Sequence, residues 1–343
     1  MNPNLRGTEL PRSGTSIAAR LAMVQAGAVA CGPMGKQGYR PAGIVIAAVL
    51  LFTGGTVIVA AQEPRVAVLS AVPLELEELL AAADIESTEV FIGRTHHVGV
   101  LRGVDVVLLL SGRGMVNAAM MAQSLIDRFS VGAIIFSGVA GGVNPGLSIG
   151  DVTVPSQWGQ YQEHVFAGQT TDGWDIGGRP VDFSNYGMMF PRAQRTTRQG
   201  DEPEVENTLF WFPADPRMLE VATRVSSAVR LARCDQDGDC LEVAPKVVVG
   251  GNGVSGPTFV ENAAYRQWVW ETFRADALDM ESAAVAHVAY ANRVPFLAFR
   301  SLSDLAGGND VSNLRAFQDL AADNSAQTLL AFLEQWSTEA PKP

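Results

Sequence analysis

The sequence has few of the residues from which metal and thiol sites are built: three cysteines and four histidines among 343 residues. None of the histidines stands at a metal-ligand spacing from a cysteine or a glutamate, so we expect no catalytic zinc; they are His96, His97, His164 and His287. A G-x-S-x-G motif is also missing, and a serine-hydrolase mechanism therefore has no nucleophile to start from. Any chemistry must rest on other side chains.

Basic residues are scarce as well, with 25 lysines and arginines against 36 acidic residues. Residues 62–343 hold 20 of the basic and 35 of the acidic residues, a net charge of −15. Such a body repels phosphate backbones, so nucleic-acid binding is not expected. The chain is 47% hydrophobic, which is ample for a buried core and favours one large domain over two.

A long charge-free run occurs in the N-terminal part, from Gly43 to Ala61. Small residues at 59 and 61 fit a signal-peptidase site before Gln62. We expect a leader over residues 1–61, with Met34 as a possible true start, and a catalytic domain over 62–343. The protein is then exported to the periplasm or the extracellular space. The alternative is a membrane anchor, since 19 apolar residues can just span a bilayer; the leader is the one part expected to contact a membrane.

Polar residues flank a short helix and a buried strand between Ala277 and Asp310. Asp279-Met280-Glu281 precedes a helix predicted from Ser282 to Asn292. A strand predicted over Val294–Phe299 then leads into Arg300, Ser303 and Asp304. Ligands of layered α/β folds bind at the carboxyl ends of strands, so one carboxylate before the helix and another after the strand can share a pocket.

These residues resemble motifs of the nucleoside phosphorylase/nucleosidase superfamily, most closely of the methylthioadenosine/S-adenosylhomocysteine nucleosidases. The resemblance implies that Met280 and Glu281 hold the ribose and that Asp304, in the Arg-x-x-Ser-Asp segment from Arg300, protonates the purine, with Ser303 beside it. It also implies an α/β fold, a three-layer α/β/α arrangement around a central mixed, partly barrel-like sheet. No metal or organic cofactor is needed for this chemistry.

Further site residues follow from the same resemblance. Glu75 opens a helix after the first strand, where acids are common helix-start charges; the resemblance makes it the glutamate that activates water, with Arg300 nearby. Val139-Ala140-Gly141 would line the ribose and water site, although many members have serine at the position of Val139. The alternative for this glycine-rich stretch is a tight strand-to-helix turn.

Phe259 and Val260 resemble the purine loop of the family, in which the aromatic ring stacks on the base and the next backbone unit reads its edge. Phe259 as a core aromatic is the alternative. The preceding run from Gly251 to Gly256 is formally G-x-G-x-x-G, but a dinucleotide site requires a helix that opens within the glycines. Pro257 follows instead, so we set this alternative aside.

Residues 156–246 are where the resemblance thins. This elaborated segment is rich in aromatic residues and predicts a rim of the site or a subunit interface, and we expect a homo-oligomer. Cys234 and Cys240 bracket an acidic loop, for which a local disulfide is the expected use in an exported protein. The loop lacks the distal glutamate of a calcium site.

Three functions compete on this evidence. The first is hydrolysis of the N-glycosidic bond of an adenine nucleoside such as methylthioadenosine or S-adenosylhomocysteine. The second is phosphorolysis by a purine nucleoside phosphorylase, which requires an anion site, for which Arg94, Arg113 and Arg300 are candidates. The third is a non-catalytic nucleoside-binding or storage protein on the same fold. Retention of Glu75, Glu281 and Asp304 together argues against the third.

Overall fold

The structure is a computed structural model that describes residues 64–235, 237–307 and 310–339, without the side chains of 310–315. The predicted leader over residues 1–61 lies outside these residues. Six helices are described: α1 (Pro73–Ala81), α2 (Met115–Arg128), α3 (Pro216–Ser226), α4 (Ala263–Phe273), α5 (Ser282–Ala291) and α6 (Asp310–Glu339).

The described strands in the first half of the chain are β1 (Arg65–Ser70), β2 (Asp84–Phe91), β3 (Arg94–Leu101), β4 (Val104–Leu110), β5 (Val131–Gly142), β6 (Val152–Val154), β7 (Gln157–Gly159), β8 (His164–Phe166) and β9 (Gly168–Thr170). Those that follow are β10 (Gly173–Asp175), β11 (Met189–Pro191), β12 (Gln194–Thr196), β13 (Asn207–Leu209), β14 (Trp211–Pro213), β15 (Val247–Val249), β16 (Asn252–Ser255), β17 (Ala275–Asp279) and β18 (Phe296–Asp304).

The main sheet is mixed and has 12 strands, in the order β14-β7-β16-β17-β5-β1-β4-β3-β2 with three more strands off this path. The long strand β5 is the branch point, because it pairs with β1 and β18 in parallel and with β17 in antiparallel orientation. Strand β18 also pairs with β6, which pairs with β15. The ends of β5, β17 and β18 are thereby brought together.

Helices cover both faces of this sheet, as the alternation of side chains along β1 illustrates. Val66 and Val68 pack in a cluster that includes residues of α1, α3 and α6. Ala67 and Leu69 point to the other face, toward α2 and α5. The predicted three-layer α/β/α arrangement with a mixed sheet is therefore confirmed.

The glycine-rich stretch after Phe136 differs from the alternative of a tight turn. Strand β5 continues through Ser137 to Gly142, and β18 likewise continues to Asp304. Gly138 lies opposite Arg300 in the ladder, and a Cβ atom at position 138 would clash with the carboxylate of Glu75 and the guanidinium of Arg300. The absence of a side chain at Gly138 leaves room for the two buried charged side chains that cross the strand here. The interpretation of this stretch as a tight turn is wrong.

The segment 156–246 contains eight short strands and α3. Strands β7 and β14 extend the edge of the main sheet, whereas the other six form three two-stranded sheets. Helix α3 begins after Asp215, whose carboxylate caps it by accepting from the N–H groups of Arg217 and Met218 at 3.0 Å. Cys234 and Cys240 form a disulfide, which confirms the predicted pair. None of the helices within the described residues combines the length and apolar character that a membrane crossing requires.

Candidate active site

A cavity of about 360 Å³ opens where β1, β5, β17 and β18 end. Ten of the eleven residues predicted for the site line it: Glu75, Val139, Ala140, Gly141, Phe259, Val260, Met280, Glu281, Ser303 and Asp304. The motifs that the sequence placed apart, on four strand ends and two helix starts, thus share one space.

Other residues of the wall carried no predicted role in nucleoside binding: Ala71, Val72, Leu74, Arg113, Thr258, Leu278, Asp279 and Gln318. Arg113 was a candidate for an anion site, and Asp279 marked a helix entrance. Gln318 lies on α6, 14 residues after Asp304, and the path of that helix along the sheet brings it to the cavity. No local pattern announces it.

Glu75 is held by backbone donors at the start of α1. Its Oε2 accepts from the N–H groups of Ala71 at 2.7 Å and Val72 at 3.0 Å, and its Oε1 accepts from Val139 at 2.9 Å. Burial raises the pKa of the Glu75 carboxyl, against the opposing effects of Arg300 and these backbone donors. A fixed carboxylate with a raised pKa suits the removal of a proton from water.

Arg300 is the one predicted residue that does not border the cavity. Its side chain has no solvent exposure and lies behind the two glutamates, with Nη1 4.0 Å from Glu75 Oε1 and Nη2 3.8 Å from Glu281 Oε2. Its guanidinium carbon stands 4.2 Å from the ring centre of Phe136. Among the described residues, Nη1 and Nη2 have no hydrogen-bond partner. The guanidinium group therefore lies beneath the cavity, with its terminal nitrogens directed toward the two glutamates.

Glu281 lies between β17 and α5 and is 5% exposed. Its Oε1 accepts from the N–H of Gly114 at 2.7 Å, which ties it to the turn before α2. Burial raises the pKa of Glu281 to about 7, aided by the negative charge of Asp279 and opposed by Arg300. The group consequently changes charge near neutral pH.

Asp304 ends β18 and is 4% exposed. Its Oδ1 accepts from the N–H of Ala306 at 2.8 Å, and its Oδ2 accepts from the hydroxyl of Ser303 at 3.0 Å. The same hydroxyl is 3.4 Å from the carbonyl oxygen of Ala140. A serine has a single hydroxyl hydrogen, so the Ser303 hydroxyl donates to only one of these two oxygens at a time.

The opposite wall includes Phe259, which is 53% exposed and is therefore not a core aromatic. That alternative is wrong. Val260 is buried and packs in an aromatic-rich cluster with residues such as Phe210 and Phe273. Its packing fixes the backbone beside Phe259, while the phenyl ring itself stays available to a flat ligand.

The described residues contain no group of three His, Cys, Asp or Glu side chains that could hold a metal ion. His287 stacks on Phe212 with ring centres 4.2 Å apart and shares a hydrogen bond of 2.9 Å with Gln160. It is a packed histidine and stands outside the cavity lined by Glu75, Glu281 and Asp304.

The sequence profile of the Phosphorylase superfamily matches residues 65–334, a range that spans every wall of the cavity. The chain belongs to the phosphorylase superfamily. Individual proteins are also similar to this chain in sequence. A 5'-methylthioadenosine/S-adenosylhomocysteine nucleosidase of Tolumonas auensis is 29% identical over 279 residues, which cover 81% of this chain and 98% of the relative.

Two further proteins are similar to this chain. Bark storage protein B of Populus deltoides is 29% identical over 244 residues, covering 66% of this chain and 74% of the relative. The crystal structure of 5'-methylthioadenosine/S-adenosylhomocysteine nucleosidase from Neisseria meningitidis in complex with methylthio-immucillin-A superposes with a TM-score of 0.60 at 26% identity. That match covers 79% of this chain and 98% of the neisserial chain.

Proposed function

We propose that this protein hydrolyses the N-glycosidic bond of an adenine nucleoside of the methylthioadenosine or S-adenosylhomocysteine type and releases adenine. The observation that carries the proposal is the convergence of Glu75, Glu281 and Asp304 on one cavity. Cleavage of such a bond develops positive charge on the sugar and negative charge on the base. The work divides between a group that protonates the leaving group and one that activates water.

Asp304 is assigned the protonation of purine N7. Its Oδ1 accepts from the N–H of Ala306 and its Oδ2 from the hydroxyl of Ser303, which hold the carboxyl group at the cavity. Ser303 supports either protonation state, because its hydroxyl can donate to an ionised Oδ2 or turn to Ala140 when Oδ2 is protonated. Phe259 stacks on the purine, and the backbone of Val260 reads its edge.

Glu75 is assigned the activation of water on the other side of the sugar. The gap of 4.0 Å between its Oε1 and Arg300 Nη1 is too long for a hydrogen bond, so the buried cation acts on this carboxylate through its charge. Val139 stands where many superfamily members have serine, so this site offers water one hydrogen-bonding group fewer. Val139 and Ala140 together give the sugar an apolar wall.

Glu281 is assigned the ribose hydroxyls. An ionised carboxylate accepts from both hydroxyls, and such charge-assisted bonds are the stronger kind. Its Oε1 already accepts from Gly114, which fixes the carboxylate before the substrate arrives. Met280 packs under the sugar, and Gly141 leaves room beside Asp304, whose Oδ1 would stand 3.2 Å from a Cβ atom at that position.

The test is incubation of the purified protein with methylthioadenosine, S-adenosylhomocysteine and adenosine in phosphate-free buffer. We expect adenine and the free sugar to appear in equal amounts. Asp276→Asn serves as a matched control, since Asp276 is buried on the same strand as Asp279, bonds Asn144 and does not line the cavity. Binding of nucleosides without release of base would favour the storage function instead.

Phosphorolysis is the second candidate, and one observation favours it. Arg113 lines the cavity and makes no ion pair with any residue in the described part of the chain, as a phosphate-binding arginine requires. Arg94 and Arg300 do not line the cavity. A requirement for phosphate, with ribose-1-phosphate or its 5′-thio analogue as product, would establish this candidate.

We propose further that the protein is exported and forms homo-oligomers. The disulfide between Cys234 and Cys240 supports export, because such bonds persist in oxidising compartments. N-terminal sequencing of the natural protein should find Gln62 at or near the start. Recovery of the intact leader in membranes would mean anchoring, and light scattering would give the oligomeric state.

A further inference from the structure

Asp279 is a buried acid to which the proposed reaction gives no role. It ends β17, lies opposite Ser255 of β16 and is 5% exposed. Burial of a carboxylate is unfavourable unless hydrogen bonds or an opposite charge compensate it. The number and identity of its partners therefore indicate what the residue is for.

Both oxygens of Asp279 are fully engaged. Oδ1 accepts from the hydroxyl of Ser255 and from the N–H groups of Glu281 and Ser282 at 3.2 Å each. Oδ2 accepts from the hydroxyl of Ser282 at 2.5 Å and forms an ion pair with Arg300 Nε at 2.8 Å. This set consists of donors alone, which suits an ionised carboxylate.

Ser255 and Ser282 link this carboxylate to its surroundings. The hydroxyl of Ser255 accepts from the N–H of Ala283, and the hydroxyl of Ser282 accepts from Arg300 Nε at 3.0 Å while it donates to Asp279. The Nε edge of the guanidinium is thus held by two groups. Phe136 lies 4.2 Å from the guanidinium carbon.

These contacts determine where the other two nitrogens of Arg300 point. The guanidinium is planar, so a fixed Nε edge together with the ring of Phe136 fixes the direction of Nη1 and Nη2. They stand 4.0 Å from Glu75 and 3.8 Å from Glu281, close to both carboxylates and bonded to neither. Within the described residues neither nitrogen has a hydrogen-bond partner.

We propose that Asp279 is a positioning residue that holds Arg300 between Glu75 and Glu281 and keeps it from closing onto either one. This inference rests on the proposed function, in which Glu75 activates the attacking water and Glu281 binds the ribose, each beside one terminal nitrogen of Arg300. Without the carboxylate of Asp279, the Nε edge keeps only its contact to the Ser282 hydroxyl, and Arg300 can move into a direct ion pair with one of the glutamates. That glutamate would then be occupied when the substrate arrives.

The kinetic test compares Asp279→Asn with Asp276→Asn, two isosteric changes three residues apart on β17. We expect Asp279→Asn to lower kcat/KM about 100-fold, with effects on both kcat and KM, because small misplacement of reacting groups has consequences of this size. Asp276→Asn should stay near wild type. If Asp279→Asn does not fold, Ser282→Ala keeps the charge and should lower kcat/KM about fivefold through the lost contact to Nε.

A pH profile separates positioning from a general structural defect. Glu281 is faced by Asp279 on β17, Arg300 and Asp304 on β18, Glu75 on α1 and Arg113 before α2. Loss of the Asp279 charge and closure of Arg300 both favour ionised Glu281. The acidic limb of kcat/KM should therefore move to lower pH by about one unit in Asp279→Asn. Because the lost charge alone moves the limb, the profile is compared with that of Ser282→Ala, which keeps the charge and should move the limb only if Arg300 moves.

Crystal structures of wild type and Asp279→Asn decide the proposal independently of activity. We expect Nη1 or Nη2 within hydrogen-bond distance of Glu75 or Glu281 in the variant only. An unmoved guanidinium, or an unmoved acidic limb with a reduced rate, would overturn the positioning role. A wild type that releases no base would refute the proposed function instead, and the position of the guanidinium would still decide this inference.

Discussion

The site and the segment 156–246 differ in how far their charged side chains are exposed to solvent. At the cavity, four charged side chains are nearly inaccessible to solvent: Arg300 is fully buried, and Glu75, Glu281 and Asp304 are at most 5% exposed. In the segment, the ion pairs are solvent-exposed, such as Arg192 with Glu163 and Arg195 with Glu206. Exposed pairs contribute little free energy, whereas a buried charge that loses its partner has a large effect.

This difference in exposure predicts where substitutions should affect activity. The cavity is built from the ends of long strands in the main sheet, so its groups have fixed positions. The segment consists of three-residue strands and surface ion pairs around an aromatic cluster. Substitutions at the cavity should therefore have larger effects on activity than substitutions in the segment.

The largest effect is expected for Asp304→Asn. The amide keeps the shape and much of the hydrogen bonding but cannot supply a proton. We expect kcat to fall by roughly two to four orders of magnitude, the usual contribution of general acid catalysis, with KM little changed. Steady-state kinetics beside Asp276→Asn measure this, and a rate within a few-fold of wild type would place the acid elsewhere.

Glu281→Gln should have the next largest effect. One oxygen becomes a donor, so a ribose hydroxyl loses its acceptor, and kcat/KM should fall roughly 10- to 100-fold, as expected for a hydrogen bond to a charged group. The loss should shrink for 2′-deoxyribonucleosides, which lack one hydroxyl. An equal loss on both sugars would contradict the assigned role.

The pKa of Glu281 near 7 predicts a pH dependence with a defined sign. The ionised form binds the diol, so kcat/KM of the wild type should increase as pH rises through about 7 and fall below it. Glu281→Gln should lose this limb of the pH profile, since a glutamine side chain does not titrate. An identical limb in the variant would assign the titration to another group.

Val139→Ser tests the apolar wall of the water site. The change restores the hydroxyl that many superfamily members have, and one hydrogen bond should increase hydrolysis about fivefold. Val139→Thr is a matched variant with a similar hydroxyl and the branched shape of valine. A slower reaction in both variants would mean that the apolar surface at Val139 helps the reaction by excluding water. That outcome would favour phosphorolysis.

The smallest effect on activity is expected for Cys234→Ser with Cys240→Ser. The disulfide closes an exposed loop away from the cavity, so kcat/KM should stay within about twofold of wild type because surface changes seldom exceed 0.5 kcal/mol. The melting temperature should fall by several degrees. A large loss of activity would show that the segment supports the chemistry directly.

Much of the site could be predicted because its signals are local. Met280-Glu281 and the run from Arg300 to Asp304 keep their spacing in any chain that forms this helix and this strand. The strand ends and the helix start around Glu75 could also be recognised from apolar runs. The exposure of Phe259 was not predictable, because an aromatic residue in a loop packs inward or outward depending on neighbours distant in sequence.

The sequence by itself determined the α/β class and the carboxylates that converge, through motifs that resemble those of the superfamily, and it determined the cysteine pair through the short spacing of the two residues. Only the tertiary structure decided that β5 runs on through its glycines, that Arg300 lies beneath the cavity, and that Asp279 and Gln318 border it. These features depend on which strands become neighbours. The burial and the partners of a residue depend on which strands pair with its own strand. The order of residues along the chain does not specify those pairs.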